Sequence, residues 1–191
     1  MIEFVYPKDY EQNNSKILKH IMEDWKKENQ FNYLFTGHVG CGKSHLANII
    51  EYNLKKSKRI DSHKKPALQS VRKHYIKYLE LLQSGYSDKG DALDRHRRSL
   101  THNEFVIIDD LGDEKPSTDA SHDYFSGILE DRYDFICKYE YANTIITTNL
   151  DGQNIINLYG SRVYDRLMDK FIIMEFKNES YRAKNFKKIK G

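Results

Sequence analysis

Two hydrophobic rhythms alternate along the chain. Five short stretches are apolar almost without interruption: NYLF (32–35), ALQSV (67–71), FVIID (105–109), TIITT (144–148) and FIIMEF (171–176). A strand with one wet face alternates apolar and polar residues, whereas a strand covered on both faces does not, so these runs predict buried strands. Between them, apolar residues recur at helical spacing. Ile17, Leu18, Ile21, Met22 and Trp25 share a face ahead of the first run, and Leu46, Ala47, Ile50 and Leu54 share one behind it. The segment DYFSGILEDRYDFICKY supplies a further helix, with Tyr124, Ile128 and Tyr133 among its apolar positions. Strands alternating with helices form βαβ units, hence a parallel sheet between helical layers. The expected class is α/β, and 191 residues suit one domain with a proper core.

The connection behind the first run is chemically distinctive. Three of the chain's ten glycines fall within Gly37–Gly42. Gly37-His38-Val39-Gly40-Cys41-Gly42-Lys43-Ser44 fits G-x-x-x-x-G-K-[ST], with a strand ending at Phe35 and an amphipathic helix starting near Lys43, as the motif requires. Such glycines let backbone N–H groups curl around phosphate oxygens, and the helix N-terminus adds partial positive charge. Lys43 is expected to reach the β- and γ-phosphates and the Ser44 hydroxyl to ligate Mg²⁺. His38 and Cys41 contribute mainly backbone amides, and His45 closes the nucleotide-binding set. The expected ligand is a nucleoside triphosphate with Mg²⁺; the family resemblance given below implies ATP or ADP.

The run FVIIDDLGDE delivers Asp109 and Asp110 to the C-terminal end of a buried strand, where α/β sheets bind ligands. Adjacent carboxylates repel and call for a cation or a task. Asp109 is expected to hold the metal, through water, and Asp110 to orient or deprotonate the attacking water. TIITTNL ends a further strand at Asn149, whose amide would hydrogen-bond the γ-phosphate and that water; a turn-forming Asn reads the same way. GSRVYDRLMD places Arg162 and Arg166 four apart on one helix face, a spacing equally suited to a surface ion-pair network.

Composition narrows the setting. Hydrophobic residues make up 39% and charged residues 31%, as in soluble globular proteins, and no run approaches the roughly 20 apolar residues of a membrane span. The amino terminus lacks a signal-peptide pattern, and two cysteines, Cys41 and Cys137, form no disulfide framework, so a cytoplasmic setting is expected. Net charge is +3, but Lys55–Lys77 carries nine Lys/Arg against one acid. That points to an anionic partner or to a solvated basic surface.

Taken together, FTGHVGCGKSHLA, FVIIDDLGDE, ILEDRY, TIITTNL, SRVYDRL and the late SYR (180–182) resemble the AAA+ ATPases of the DnaC/DnaI helicase-loader and IstB transposition-helper group. The resemblance covers about residues 4–182. It implies an ASCE-type P-loop NTPase fold, with a five-stranded parallel sheet of order 5-1-4-3-2. It also implies Asn149 as sensor 1 and Arg162 as an arginine finger aimed at a neighbouring copy's ATP, so that hydrolysis needs a homo-oligomer. Arg166 is expected to be structural, paired with Asp165 or Asp169. The expected organisation is an N-terminal linker and helix (1–30), a core (31–182) and a basic tail (183–191). The family's initiator- and loader-type helical insertion falls at 72–103. There Lys73, Lys77, Arg95, Arg97 and Arg98 would follow a phosphate backbone without sequence preference. Tyr6 and Tyr10 would stack on adenine or pack in the core, packing being the simpler role. About 30 residues precede the P-loop strand and fewer than twenty follow the last one. The expectation is thus no helical lid, no sensor-2 arginine and no separate helicase-gripping domain.

Three functions follow from that resemblance. The first is a loader-type ATPase, phage or mobile-element encoded, assembling on single-stranded DNA with a replicative helicase. The second is a transposition ATPase on duplex DNA. The third, of another class, is a non-catalytic adaptor switched by ATP, against which the full set of Lys43, Asp109, Asp110, Asn149 and Arg162 argues. A small-molecule kinase is disfavoured by Asn149 and by the lack of an arginine-rich lid.

Overall fold

The computed structural model describes residues 4–6, 8–27, 30–56, 67–85, 87–114, 117–177 and 180, with the side chains of 8–14, 67 and 68 excepted. Its elements are α1 (Lys8–Lys27), β1 (Asn32–Gly37), α2 (Lys43–Lys56), β2 (Ala67–Ser70), α3 (Val71–Gln83), α4 (Lys89–Thr101), β3 (Phe105–Leu111), α5 (Asp119–Lys138), β4 (Asn143–Thr148), α6 (Gly152–Tyr159), α7 (Ser161–Lys170) and β5 (Ile172–Phe176). All strand pairs are parallel, in the order β2-β3-β4-β1-β5. This is the expected 5-1-4-3-2 order read from the other edge. The tail 183–191 lies outside the described residues, as do Tyr181, Arg182 and the Tyr10 side chain.

Side chains of successive strand residues point to opposite faces, and the apolar runs exploit this. Tyr33, Phe35, Phe105, Ile107 and Ile145 enter the layer shared with Leu18, Ile21 and Trp25 of α1 and Leu46, Ile50 and Leu54 of α2. Leu34, Val106, Ile108 and Ile146 enter the opposite layer with Phe125, Ile128 and Leu129 of α5 and Val163 and Leu167 of α7. The first layer is aromatic: Phe31 stacks on Tyr33 at 5.1 Å, and Phe35 meets Phe176 at 5.3 Å. β5 departs from the expectation of a strand covered on both faces. It is an edge strand paired to β1 alone, with Ile172 and Ile173 about half exposed.

Helix boundaries follow local chemistry. Thr118 and Ser121 form a reciprocal capping box at the start of α5, and the Asp151 carboxylate accepts the Asn154 N–H to start α6. The 72–103 interval holds α3 and α4, anchored by a buried polar contact. His74 Nδ1 meets Gln69 Oε1 at 2.6 Å, its Nε2 meets Tyr124 Oη at 3.0 Å, and its ring stacks on His96 at 3.8 Å. Burial, reinforced by His96, pushes the His74 pKa from 6.5 down to about 3.

Arg132, the arginine of ILEDRY, is 1% exposed. Its guanidinium donates to Thr144 Oγ1 (2.8 Å) and to the carbonyls of Thr101 (3.2 Å), Asn103 (2.5 Å) and Asn143 (2.8 Å). One side chain thereby ties α5 to the ends of α4, β3 and β4. With only neutral partners, burial lowers its pKa to about 9.

Two outcomes are expected. Because the folded His74 pKa lies below its unfolded value, its stabilising contribution is complete above about pH 6.5 and is lost as pH falls from there toward about 3. Urea midpoints measured across that window should fall more steeply for the wild type than for His74→Gln. Arg132→Met, which strands four acceptors, should cost roughly 3–5 kcal/mol in chemical denaturation.

Candidate functional site

The loop between β1 and α2 depends on backbone geometry that side chains would block. Gly37 (φ 139°), Gly40 (φ 82°) and Gly42 (φ 106°) occupy the region open chiefly to glycine. A Cβ on Gly37 would collide with the Phe176 carbonyl oxygen, and one on Gly40 with Ser180 Oγ. The loop is therefore walled by the end of β5 and by the serine of the SYR segment.

Lys43 is the first residue of α2 and is 4% exposed. Its three ammonium donors are fully used: Gly37 O at 2.7 Å, His38 O at 2.9 Å and Asn149 Oδ1 at 2.8 Å. Cys41 Sγ lies 3.6 Å from the same nitrogen and is itself buried, whereas Val39 is exposed at the loop tip. The phosphate loop and the end of β4 thus already share a cation.

The acid pair meets β4 one step away. β3 and β4 change register between Ile108 and Leu111, a bulge that puts Asp109 and Asp110 out of the regular ladder. Asp110 takes φ 60°, unusual for a residue with a Cβ and a common mark of a functional position. Thr147 organises both acids: its hydroxyl donates to Asp109 Oδ1 (2.8 Å) and accepts the Asp110 N–H (2.9 Å). Thr148 in turn donates to Leu111 O (2.7 Å) and accepts the Leu150 N–H (3.0 Å). Thr147 and Asn149 are two residues apart, hence no more than about 7 Å between their Cα atoms. Lys43 and Asp109 are each bonded to one of them.

The metal chemistry is consistent with Mg²⁺. No group of three or more metal-type side chains occurs among the described residues. Mg²⁺ seldom needs one, since it keeps several waters and takes one or two protein oxygens beside phosphate. The Ser44 hydroxyl in the first turn of α2 and the Asp109 carboxylate near the end of β3 are oxygens of that kind.

The remaining predicted residues divide. Arg162 is 72% exposed at its side chain and contacts Glu130 at 3.3 Å. Arg166 is 18% exposed, lies 3.8 Å from Glu130 and 3.7 Å from Asp134, and covers the Tyr133 ring at 4.9 Å. Its expected pairing with Asp165 or Asp169 is not what the structure contains. α7 packs on α5, which turns Arg166 toward the acids there, while Asp169 accepts from Tyr133 (2.9 Å) and pairs with Lys170. Among the basic residues of α3 and α4, Arg97 bridges to Asp131 of α5 at 2.7 Å, Arg98 pairs with Asp94, and Lys77 pairs with Glu80. Lys73 and Arg95 are exposed.

A groove of about 440 Å³ lies on α2 between Asn48, Ile49 and Tyr52 and the N-terminal residues Val5 and Tyr6. Asn53 holds that wall in place, accepting the Val5 N–H (2.7 Å) and donating to the Val5 carbonyl (2.8 Å). Tyr6 packs partly against the core, as the simpler role required.

Sequence reasoning missed Thr147, Thr148 and the fully buried Glu114. Two hydroxyls side by side at the end of an apolar strand were the available signal, because buried hydroxyls need partners.

The family model for IstB-like ATP binding proteins matches residues 2–189. Among solved structures, the crystal structure of the DnaC helicase loader superposes with a TM-score of 0.65 at 20% identity, covering 91% of this chain and 94% of that one. A replication initiator DnaA bound to AMPPCP and single-stranded DNA matches with a TM-score of 0.64 at 16% identity, covering 93% of this chain and 52% of that one. The AMPPCP-bound DnaA from Aquifex aeolicus matches at 0.61 and 18% identity, over 94% and 50%. The chain spans about half the length of those DnaA chains. No curated protein matches in sequence. The match over residues 2–189 places this chain in the IstB-like ATP-binding protein family.

Proposed function

We propose that this protein is a Mg²⁺-dependent ATPase that works by assembling copies on single-stranded DNA beside a replicative helicase, in the manner of a helicase loader. The observation that carries the reading is the shared end of β4, where Asn149 holds Lys43 and Thr147 holds Asp109.

In the proposed reaction, the triphosphate settles against the backbone N–H groups of Gly40–Ser44, and Lys43 exchanges its carbonyl partners for β- and γ-phosphate oxygens. The groove beside Tyr6 and Asn48 begins one helical turn, about 6 Å, beyond Ser44 and suits the purine. Mg²⁺, held through Ser44 and Asp109, would neutralise charge developing on the phosphates. Asn149 orients the water and Asp110 accepts its proton as the oxygen attacks the γ-phosphorus. The bond to the bridging oxygen breaks, and its electron pair leaves with ADP. Arg162 serves the adjacent copy: it stands exposed near the start of α7 with one carboxylate partner.

The basic residues of α3 and α4 offer a surface for phosphates. Exposed ion pairs such as Arg98–Asp94 and Lys77–Glu80 are worth under about 1 kcal/mol and yield readily to a polyanion. Arg97, tied to α5, is better placed to hold α4 than to release its partner. The family match supports a second reading, a transposition ATPase on duplex DNA. A titration with both DNA forms separates the two, since clear preference for duplex selects the transposition role. A cytoplasmic setting accords with both, and no described helix is long and apolar enough to cross a membrane.

Lys43→Ala should weaken ATP binding by roughly 100-fold or more, measured with a fluorescent nucleotide; retained affinity refutes the loop assignment. Arg162→Ala should bind ATP normally yet lose roughly 10³-fold or more in hydrolysis with DNA present. Mixing it with Asp110→Asn subunits should restore part of the rate, because each defective copy then supplies what the other lacks. Normal hydrolysis by Arg162→Ala alone removes the trans-acting arginine.

A further inference from the structure

Glu114 has no part in the chemistry above, yet it is fully buried. Its Oε1 accepts from the Tyr159 hydroxyl at 2.5 Å and from the Gly112 N–H at 3.3 Å, while its Oε2 is buried without a hydrogen-bond partner. A carboxylate in that position is a poor means of stabilisation. Removing an ion from water costs several kcal/mol, and a well-packed apolar residue would serve cohesion as well or better. What an apolar residue lacks is direction: it does not fix the distance between two elements as a hydrogen bond does.

The two elements so joined are the ones the reaction depends on. Gly112 lies two residues beyond Asp110, takes φ 100° and presses on Leu150, the neighbour of Asn149. A Cβ there would come within 2.8 Å of the Leu150 side chain, so this turn is locked against the end of β4. On the other side, Tyr159 is the last residue of α6. Its carbonyl accepts from Ser126 Oγ of α5 at 3.3 Å, and its ring meets His122 edge-on. Gly160, at φ 88°, then turns the chain into α7, and Arg162 follows two residues later. Burial and the adjacent carboxylate both raise the Tyr159 pKa, which keeps the phenol a donor.

We infer that Glu114 and Tyr159 are positioning residues whose buried hydrogen bond sets the Asp110 turn and the Arg162 helix relative to one another. One contact thus aligns both the site at which a subunit hydrolyses ATP and the arginine that it lends to the next. This deepens the ATPase reading above and rests on it.

Tyr159→Phe keeps the ring and removes only the hydroxyl. With DNA present, kcat should fall roughly 10- to 100-fold, the range for a modest misplacement of reacting groups, with KM for ATP within about threefold of wild type. Glu114→Leu should lose a similar factor, and Glu114→Gln, which keeps a carbonyl acceptor for Tyr159, should recover most of it. In mixtures, Tyr159→Phe subunits should fail to rescue Arg162→Ala subunits, and should stay slow beside Asp110→Asn subunits that offer an intact arginine.

A Tyr159→Phe rate within twofold of wild type overturns the proposal. A defect confined to one of the two mixtures, or Glu114→Gln as slow as Glu114→Leu, also overturns it. If Tyr159→Phe does not fold, the Glu114→Leu and Glu114→Gln pair decides by the same criteria. Wild-type protein that hydrolyses no ATP with DNA and helicase present defeats the underlying ATPase reading instead, before any variant is compared.

Discussion

The carboxyl end of β4 is the point on which the site turns. Three consecutive residues there each take a different partner: Thr147 the acid pair, Thr148 the carbonyl of Leu111, Asn149 the ammonium of Lys43. β4 lies between β1 and β3, so its end borders both the phosphate loop and the acids. Neighbouring strands sit about 4.8 Å apart, which leaves roughly 10 Å between β1, which leads into the glycine loop, and β3, which bears Asp109. In the function proposed above, a triphosphate with its cation would bridge that gap over the β4 residues.

Such a platform is useful only if β4 does not shift, and the fold pins it at both ends. At the amino end, Arg132 binds Thr144 and the Asn143 carbonyl, and the Asn143 side chain accepts the Phe31 N–H. At the carboxyl end the threonines bond to β3. Between them, Ile145 and Ile146 face opposite cores, so a one-residue slip would put each side chain into the wrong layer. The buried guanidinium, remote from the chemistry, thus serves the site by holding its central strand in register.

Much of this was legible in the residue pattern. The apolar runs located all five strands because burial on both faces leaves a continuous signature, and the glycine loop and acid pair were legible because their chemistry tolerates few substitutes. β5 was misjudged in its covering, since an apolar run does not distinguish a central strand from an edge that remains half exposed. The pairing of Arg166 was misjudged for a related reason. Spacing along a helix reveals neighbours within it, whereas Glu130 and Asp134 belong to a helix brought alongside by tertiary packing. Thr147, Thr148 and Glu114 escaped notice because each matters through a partner distant in sequence: 38, 37 and 45 residues away.

The two arginines of α7 also differ in what it would cost to move them. Arg166 is mostly buried, lies between two carboxylates and covers a tyrosine ring. Reorienting it toward a neighbouring copy forfeits all three contacts and leaves Glu130 and Asp134 facing each other unscreened. Arg162 has one ion pair on an exposed side chain, worth under about 1 kcal/mol. In the proposed role, a γ-phosphate would compete well with Glu130 for it, because phosphate carries more charge and accepts two parallel N–H bonds. Arg166 would still lie beside Glu130 if Arg162 turned away. The outer arginine is thus the less costly of the two to move, an order set by burial and not by position in the helix.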